Sequence, residues 1–446
     1  MWKVTYDYFL MGEVTWFVVI WLMIAFIMLS RTLMAGIYYY KEWKEAPKRR
    51  RRVKKCTGNY KVTTLVTCAK EVPFAFRRAM QKLKNQRGLA KHTILVMIDA
   101  ADDMTASDKA CVKIAIEFAD FVIIGNPRDK RVNLANLTKL AEEEGVLHKF
   151  LAPMDSDTVC NHNWVVAEMC DAFRDPRVGG VTSSQRCLWV NNAIERDGDW
   201  LEDSRRLSSM AAGSLVGEVL CLPGRLIMLL TSLVVPEIYD LPNEVWTGWK
   251  LSLSFPFVKR WKVKCKAGDD RQLTNYVLKK GKRTVMVGSA GIKTIVPNTF
   301  QVLWKTWRRW ATSSQGYFYR TLSWLWRRPF AFYHALSDIF ITHASVFLVL
   351  SWFYSIFARD EKTLFPMSIM MLLSVAGLMV TFIIRQLPHL FRHPADLLLL
   401  PHFIVVVTIG QFIRLWAHYT AWMIGTWGTR SGVDDEVGEV WIRRVK

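Results

Sequence analysis

The chain has 446 residues, of which 51% are hydrophobic and 20 are Trp, and it carries a formal net charge of +21. The length accommodates one catalytic-size domain plus membrane helices. The apolar share is rich for a soluble protein, yet charged residues reach 22%, so the two classes must be segregated along the chain. The basic residues cluster beside apolar runs, at 48–55, 305–309 and 327–328. That placement suits cytosolic membrane flanks and anionic headgroups and argues against nucleic acid as a partner. All eight cysteines lie between Cys56 and Cys265, with no zinc-knuckle spacing, and read as reduced cytosolic thiols.

Residues 14–30 are uncharged and the apolar pattern resumes after Arg31 as far as Tyr40, long enough to span a bilayer. The basic cluster follows this run, so the positive-inside rule places residues 41 onward in the cytosol. An interfacial anchor is the alternative. From 60 to 160 strand and helix patterns alternate. Strands are predicted at 62–68, 93–98, 121–125 and 147–154, with helices at 73–83, 107–118 and 133–144. Such alternation gives a mostly parallel sheet with helices on both faces, whose ligands sit at the carboxyl ends of the strands. Asp99 and Asp155 fall at two of those ends.

A basic strand at 260–266 precedes a predicted helix at 272–279. The stretch after residue 299 interleaves Trp304, Trp307, Trp310, Trp324 and Trp326 with Lys and Arg, the composition of helices lying in a membrane interface. Residues 332–357 and 364–384 read as two spans, the first containing Asp338 and His343, which either face a polar pathway or sit near a cytosolic end. Residues 397–424 are long enough for a third crossing. Pro401 and Gly410 interrupt that stretch and Arg414 and His418 dilute it, so a re-entrant or interfacial arrangement is the other reading.

Four short segments carry chemistry. Asp155-Ser156-Asp157 after a strand can hold a divalent cation, although acidic turns in that position are common without one. Asp99 can bind a base or ribose, or cap a turn. Lys130-Arg131 can hold phosphate oxygens, or form a solvated basic turn. Gly268-Asp269-Asp270-Arg271 opens a helix, where a carboxylate can accept a hydroxyl proton or merely favour the helix dipole.

The order of these segments before a Trp-rich interface resembles that of membrane-bound family 2 glycosyltransferases of the hyaluronan synthase type, relatives of chitin and cellulose synthases, over most of residues 60–432. The resemblance implies a GT-A-type α/β domain combined with interfacial helices and transmembrane segments. It implies a uridine pocket at 66–71, including Glu71, and a uracil contact from Asp99. Lys130 and Arg131 fall near the donor phosphates, with Asp129 in place of the family's glycine. Asp155 matches the donor motif and, with Asp157, the metal site for Mg2+ or Mn2+. Residues 217–225, with Cys221, match the acceptor-side segment, and residues 179–181 match the strand after the metal motif. Asp270, beside Asp269, stands where the family has its catalytic base, within a Gly-Asp-Asp-Arg-x-Leu-Thr run at 268–274. The Gln-x-x-Arg-Trp motif is imperfect: Arg309 and Trp310 fit it, but Thr306 stands where glutamine is expected. Trp427, Thr429 and Arg430 match a cytosolic loop that closes over the donor diphosphate, and a tail that must return there disfavours a single crossing by 397–424.

The expected organisation is an N-terminal transmembrane helix (1–40), a cytosolic catalytic domain (41–298), interface helices (299–331), two transmembrane helices (332–384), an interfacial, re-entrant or third membrane segment (385–424), and a gating loop and tail (425–446). The expected function is processive, inverting polymerisation of UDP-sugars into a secreted β-linked polysaccharide. Hyaluronan, from UDP-GlcNAc and UDP-GlcA, is the favoured product. A chitin-like or other capsular polymer, a non-processive lipid glycosyltransferase and a catalytically silent transporter are the alternatives. The implied partners are the donors, the growing polymer and membrane lipids, with the enzyme in the plasma membrane and its catalytic domain in the cytosol.

Overall fold

The computed structural model describes residues 2–55, 59–100, 104–127, 129–251, 258–357, 380, 382–420 and 442–446. The chain opens with α1 (Trp2–Lys55), a single helix that runs on past residue 40, where the sequence pattern placed its end, and passes through Pro47. Its basic end docks on the domain that follows. Arg50 pairs with Glu168 at 3.0 Å and Arg52 with Asp171 at 2.6 Å, while the Tyr38 hydroxyl donates to the Met286 carbonyl at 2.7 Å.

The next elements are β1 (Lys61–Ala69), α2 (Pro73–Lys84), β2 (Lys91–Asp99), α3 (Ala106–Phe118), β3 (Phe121–Gly125), α4 (Lys130–Glu143) and β4 (Phe150–Asp155). The predicted alternation is present, each element lying within a few residues of its expected place. Local signals explain the boundaries. Pro73 occupies the first turn of α2, where no backbone donor is lost. Thr105 and Asp108 form a reciprocal capping box that starts α3. The Asp129 side chain accepts from the Arg131 N–H at 2.9 Å and starts α4.

Then follow β5 (Val159–Cys160), α5 (Val165–Asp171), β6 (Val178–Cys187), α6 (Ala193–Ser204), α7 (Ala211–Val216), β7 (Ile227–Leu230), α8 (Thr231–Asp240), the β8 (Val245–Leu251) and β9 (Val258–Lys264) pair, α9 (Asp269–Lys279) and β10 (Arg283–Thr294). The central sheet has the order β11-β3-β2-β1-β4-β7-β6-β10-β5, with β11 being Ile442–Arg444. Strands β3, β2, β1 and β4 are mutually parallel; β7 enters antiparallel between β4 and β6. Side chains from alternate faces of the sheet fill two cores. One gathers Phe76, Met80, Ile94, Val96 and Val166, the other Leu65, Leu95, Leu134, Leu137 and Leu273. Each fully buried Leu here contributes about 1.5–3 kcal/mol relative to exposure.

The parallel register decides where chemistry can occur. It sets Ala69 beside Asp99 and Thr67 beside Asp155, so the carboxyl ends of β1, β2 and β4 form one edge.

Beyond the sheet run α10 (Phe300–Leu325), α11 (Pro329–Phe357) and α12 (Leu400–Tyr419). Among the described residues, three helical stretches are long and apolar enough to cross a membrane: Val18–Lys55, Pro329–Leu350 and Pro394–Tyr419. Most of the expected span at 364–384 lies outside the described residues. Of the stretch at 397–424, residues 421–424 lie outside the described residues, and α12 runs unbroken through Gly410 to Tyr419. Pro401 sits in its first turn, and Gly410 lets Trp307 of α10 approach to 3.0 Å from where a Cβ would stand.

Candidate active site

A cavity of about 1120 Å³ opens at the carboxyl edge of the sheet. It is lined by Glu71, Asp99, Lys130, Asp155, Asp157, Cys221, Asp269, Asp270, Arg309 and Trp310. These residues lie as far apart in the chain as Glu71 and Trp310, and the fold brings them to one place.

Lys130, at the start of α4, is the bridge. Its Nζ donates to Asp155 Oδ1 at 2.8 Å and lies 3.1 Å from Asp269 Oδ2, so the end of β4 and the start of α9 share one ammonium. Burial opposes its charge, but Asp155 and Asp269 outweigh burial and hold Lys130 above the ordinary lysine range. In return Lys130 keeps Asp269 below the usual carboxylate range despite burial. Asp99 accepts from the Asn133 amide at 2.9 Å, which ties the end of β2 to the first turns of α4.

Asp157 accepts from Thr294 Oγ1 at 3.1 Å. Burial, with Glu71 and Asp155 nearby, pushes its carboxyl up to about 7. Crowded carboxylates of this kind are what a hard divalent cation relieves, so the residues present fit Mg2+ or Mn2+.

Asp270 is positioned by backbone. Its Oδ1 accepts from the Arg271 N–H at 2.8 Å and its Oδ2 from the Gly224 N–H at 3.2 Å, with the Cys221 thiol at 3.6 Å. Burial and then Asp269 raise it above the ordinary carboxylate range, while Lys130 and the donated N–H bonds pull the other way. Burial, reinforced by Asp270, pushes the Cys221 thiol up to about 12, so it stays protonated and acts as a donor. A Cβ on Gly224 would crowd Lys130 Nζ, at 3.1 Å, and lie 3.4 Å from the Asp270 Cβ.

Arg131 departs from expectation. It is fully buried and does not line the cavity. Nη1 donates to Glu244 at 2.7 Å and to Gln272 at 2.9 Å; Nη2 donates to the Ala267 carbonyl at 2.9 Å and to the Tyr317 hydroxyl at 2.7 Å. The guanidinium therefore clamps α4, the loop before α9 and α10 together. Its neighbour Lys130 takes the cavity side because successive helix residues point about 100° apart.

Thr306 lines the cavity in the place where the resemblance expects glutamine. Trp427, Thr429 and Arg430 lie outside the described residues. Asp338 lines the far end of the cavity, whereas His343 does not and instead lies 3.3 Å from the Tyr419 hydroxyl. Arg225 was not singled out in the sequence. It pairs with Glu202 at 2.7 Å, and its guanidinium lies 6.0 Å from the Trp310 ring. Its only local signal was its place at the end of the 217–225 segment.

The fold and its strand-end site define a nucleotide-sugar type of α/β transferase domain joined to apolar helices. The chain belongs to Glycosyltransferase like family 2, whose pattern matches residues 59–313. It is similar to an N-acetylglucosaminyltransferase of Azorhizobium caulinodans, at 26% identity over 227 residues, covering 50% of this chain and 51% of that protein. It is also similar to the hyaluronan synthase of Streptococcus pyogenes serotype M1, at 26% identity over 287 residues, covering 63% of this chain and 62% of that protein. The chain thus spans between about half and three fifths of the length of these curated relatives. Among solved structures it matches a mannosyltransferase, PcManGT from Pyrobaculum calidifontis in complex with GDP-Man and Mn2+. That match has a TM-score of 0.41 and 15% identity, covering 78% of this chain and 98% of that one.

Proposed function

We propose that this protein is a membrane-integrated, inverting synthase that transfers sugars from UDP donors onto a growing β-linked polysaccharide, with hyaluronan as the product. The observation that carries the reading is the single cavity in which Lys130 bridges the donor-side Asp155 and the base-side Asp269.

In this reading Glu71 and Asp99 bind the uridine, and Lys130 offers its charge to the diphosphate. Asp155 and Asp157 hold the divalent cation, which when bound neutralises charge on the UDP leaving group. Asp270 accepts the proton of the acceptor hydroxyl, whose oxygen forms the new bond to the anomeric carbon while the bond to UDP breaks. The N–H donors of Gly224 and Arg271 keep the carboxylate oriented for that proton. Trp310 stacks on the acceptor sugar, with Arg309 beside it. The apolar helices anchor the enzyme in the plasma membrane with the transferase domain in the cytosol, and the polymer leaves between them.

The test is incorporation of labelled sugar by the purified full chain, supplied with UDP-GlcNAc alone, UDP-GlcA alone and both. The proposal requires a long product only with both donors, degraded by hyaluronan-specific lyase. A polymer from UDP-GlcNAc alone would make it a chitin-type synthase, a reading favoured by the similarity to an N-acetylglucosaminyltransferase.

A further inference from the structure

The cavity does not end at Trp310. It continues between α10, α11 and α12 to a group formed by His334, Asp338, Arg385, Gln411 and Arg414. The charges there do not balance. Arg31 of α1 donates to Asp338 Oδ1 at 2.8 Å and also to the His334 carbonyl at 3.0 Å and the Ser337 hydroxyl. The one carboxylate of the group is therefore already matched. Among the described residues the side chains of Arg385 and Arg414 make no hydrogen bond or ion pair, and Arg385 Nε is buried without an acceptor.

Arg414 lies on the candidate span Pro394–Tyr419 and Arg385 on the helical stretch 382–390 that precedes it; guanidiniums shielded from bulk water are costly unless they face a polar path and meet an anion there. The planar fork of arginine fits a carboxylate through two parallel N–H donors, which a neutral sugar hydroxyl cannot match. Gln411 adds an amide beside the pair, with its Oε1 accepting from Thr342 at 3.4 Å.

We propose that Arg385 and Arg414 form a carboxylate-binding subsite for an acidic saccharide, at the membrane end of the cavity. The inference rests on the reading that the cavity holds the growing polymer. A neutral chitin-type chain would leave both guanidiniums without partners, so the pair selects a product that carries uronate carboxylates.

The experiment measures binding to the full chain in phosphatidylcholine nanodiscs. The probes are a hexasaccharide of alternating N-acetylglucosamine and glucuronate, and the same hexasaccharide with its carboxyls reduced to alcohols. Wild type is expected to bind the acidic form at least about tenfold more tightly, the scale of one charge-assisted hydrogen bond. The R385Q/R414Q variant is expected to lose this preference while keeping its affinity for UDP, and R385K/R414K to retain part of it. Equal binding of the two hexasaccharides by wild type, binding of neither, or an undiminished preference in R385Q/R414Q would overturn the subsite. Loss of the preference on adding phosphatidylglycerol would assign the pair to lipid headgroups instead. Synthesis from UDP-sugars by wild type is read separately. Its absence sinks the proposed reaction, whereas synthesis without the preference sinks the subsite alone.

Discussion

A Cβ placed on Gly268 would lie 2.1 Å from the Ser313 hydroxyl oxygen of α10. Gly268 also has φ of +80°, the left-handed region that other residues enter at a cost. The first turn of α9, with Asp269 and Asp270, is thus held against α10 at a distance only glycine permits. The turn that carries Asp269 and Asp270 and the Trp-rich helix are fixed relative to each other by this contact.

Gly268→Ala is therefore expected to lose transfer activity and to cost about 1–3 kcal/mol of stability, through backbone strain and overpacking together. Thermal melting and sugar incorporation measured on the same preparation check both halves. A variant with wild-type melting and wild-type turnover would contradict the contact.

Arg131 gives a contrasting expectation. Its fork is spent inside the protein, so Arg131→Ala leaves Glu244 without its buried partner at 2.7 Å and should cost about 3–5 kcal/mol. Arg131→Lys should recover little, since an ammonium cannot reproduce the five directed bonds. Were Arg131 a donor ligand instead, Arg131→Ala would keep its melting temperature and lose only UDP affinity.

The third expectation concerns pH. Burial, Glu71 and Asp155 raise the Asp157 carboxyl to about 7; in the proposed function this carboxylate holds the cation and must be ionised to do so, so protons would compete with the metal. Mn2+ affinity should be full above pH 7 and fall by up to about tenfold per unit below it. In the metal-free protein the sign reverses. The folded state keeps a proton that the unfolded chain has lost, so this group's contribution to stability falls as pH rises from about 4 to about 7. Mn2+ titrations at several pH values, with melting curves in chelator, check the two signs.

Much of the α/β order was legible because it is written locally. Alternating apolar runs marked β1 to β4, and Thr105, Pro73 and Asp129 marked helix starts. The strand-end acids followed from topology alone, since parallel strands deliver Asp99 and Asp155 to one edge. The inward turn of Arg131 was not legible. Its partners Leu241, Glu244, Ala267, Gln272 and Tyr317 lie more than a hundred positions away, and its own neighbours look like an exposed basic turn. The continuity of α1 to Lys55 was hidden for a similar reason, because Pro47 and the basic run read locally as an end while the domain's Glu168 and Asp171 hold them helical. The pairing of Arg31 with Asp338 joins positions 307 apart and carried no local signal.

The most direct measurement is sugar transfer by Asp270→Asn set beside UDP binding by the same variant. The substitution keeps the size of the side chain and leaves the Lys130 bridge to Asp155 and Asp269 untouched. Loss of a general base predicts a fall in transfer of at least about 10²–10⁴-fold, with UDP affinity near that of wild type. Polymer synthesis at the wild-type rate by Asp270→Asn would contradict the account.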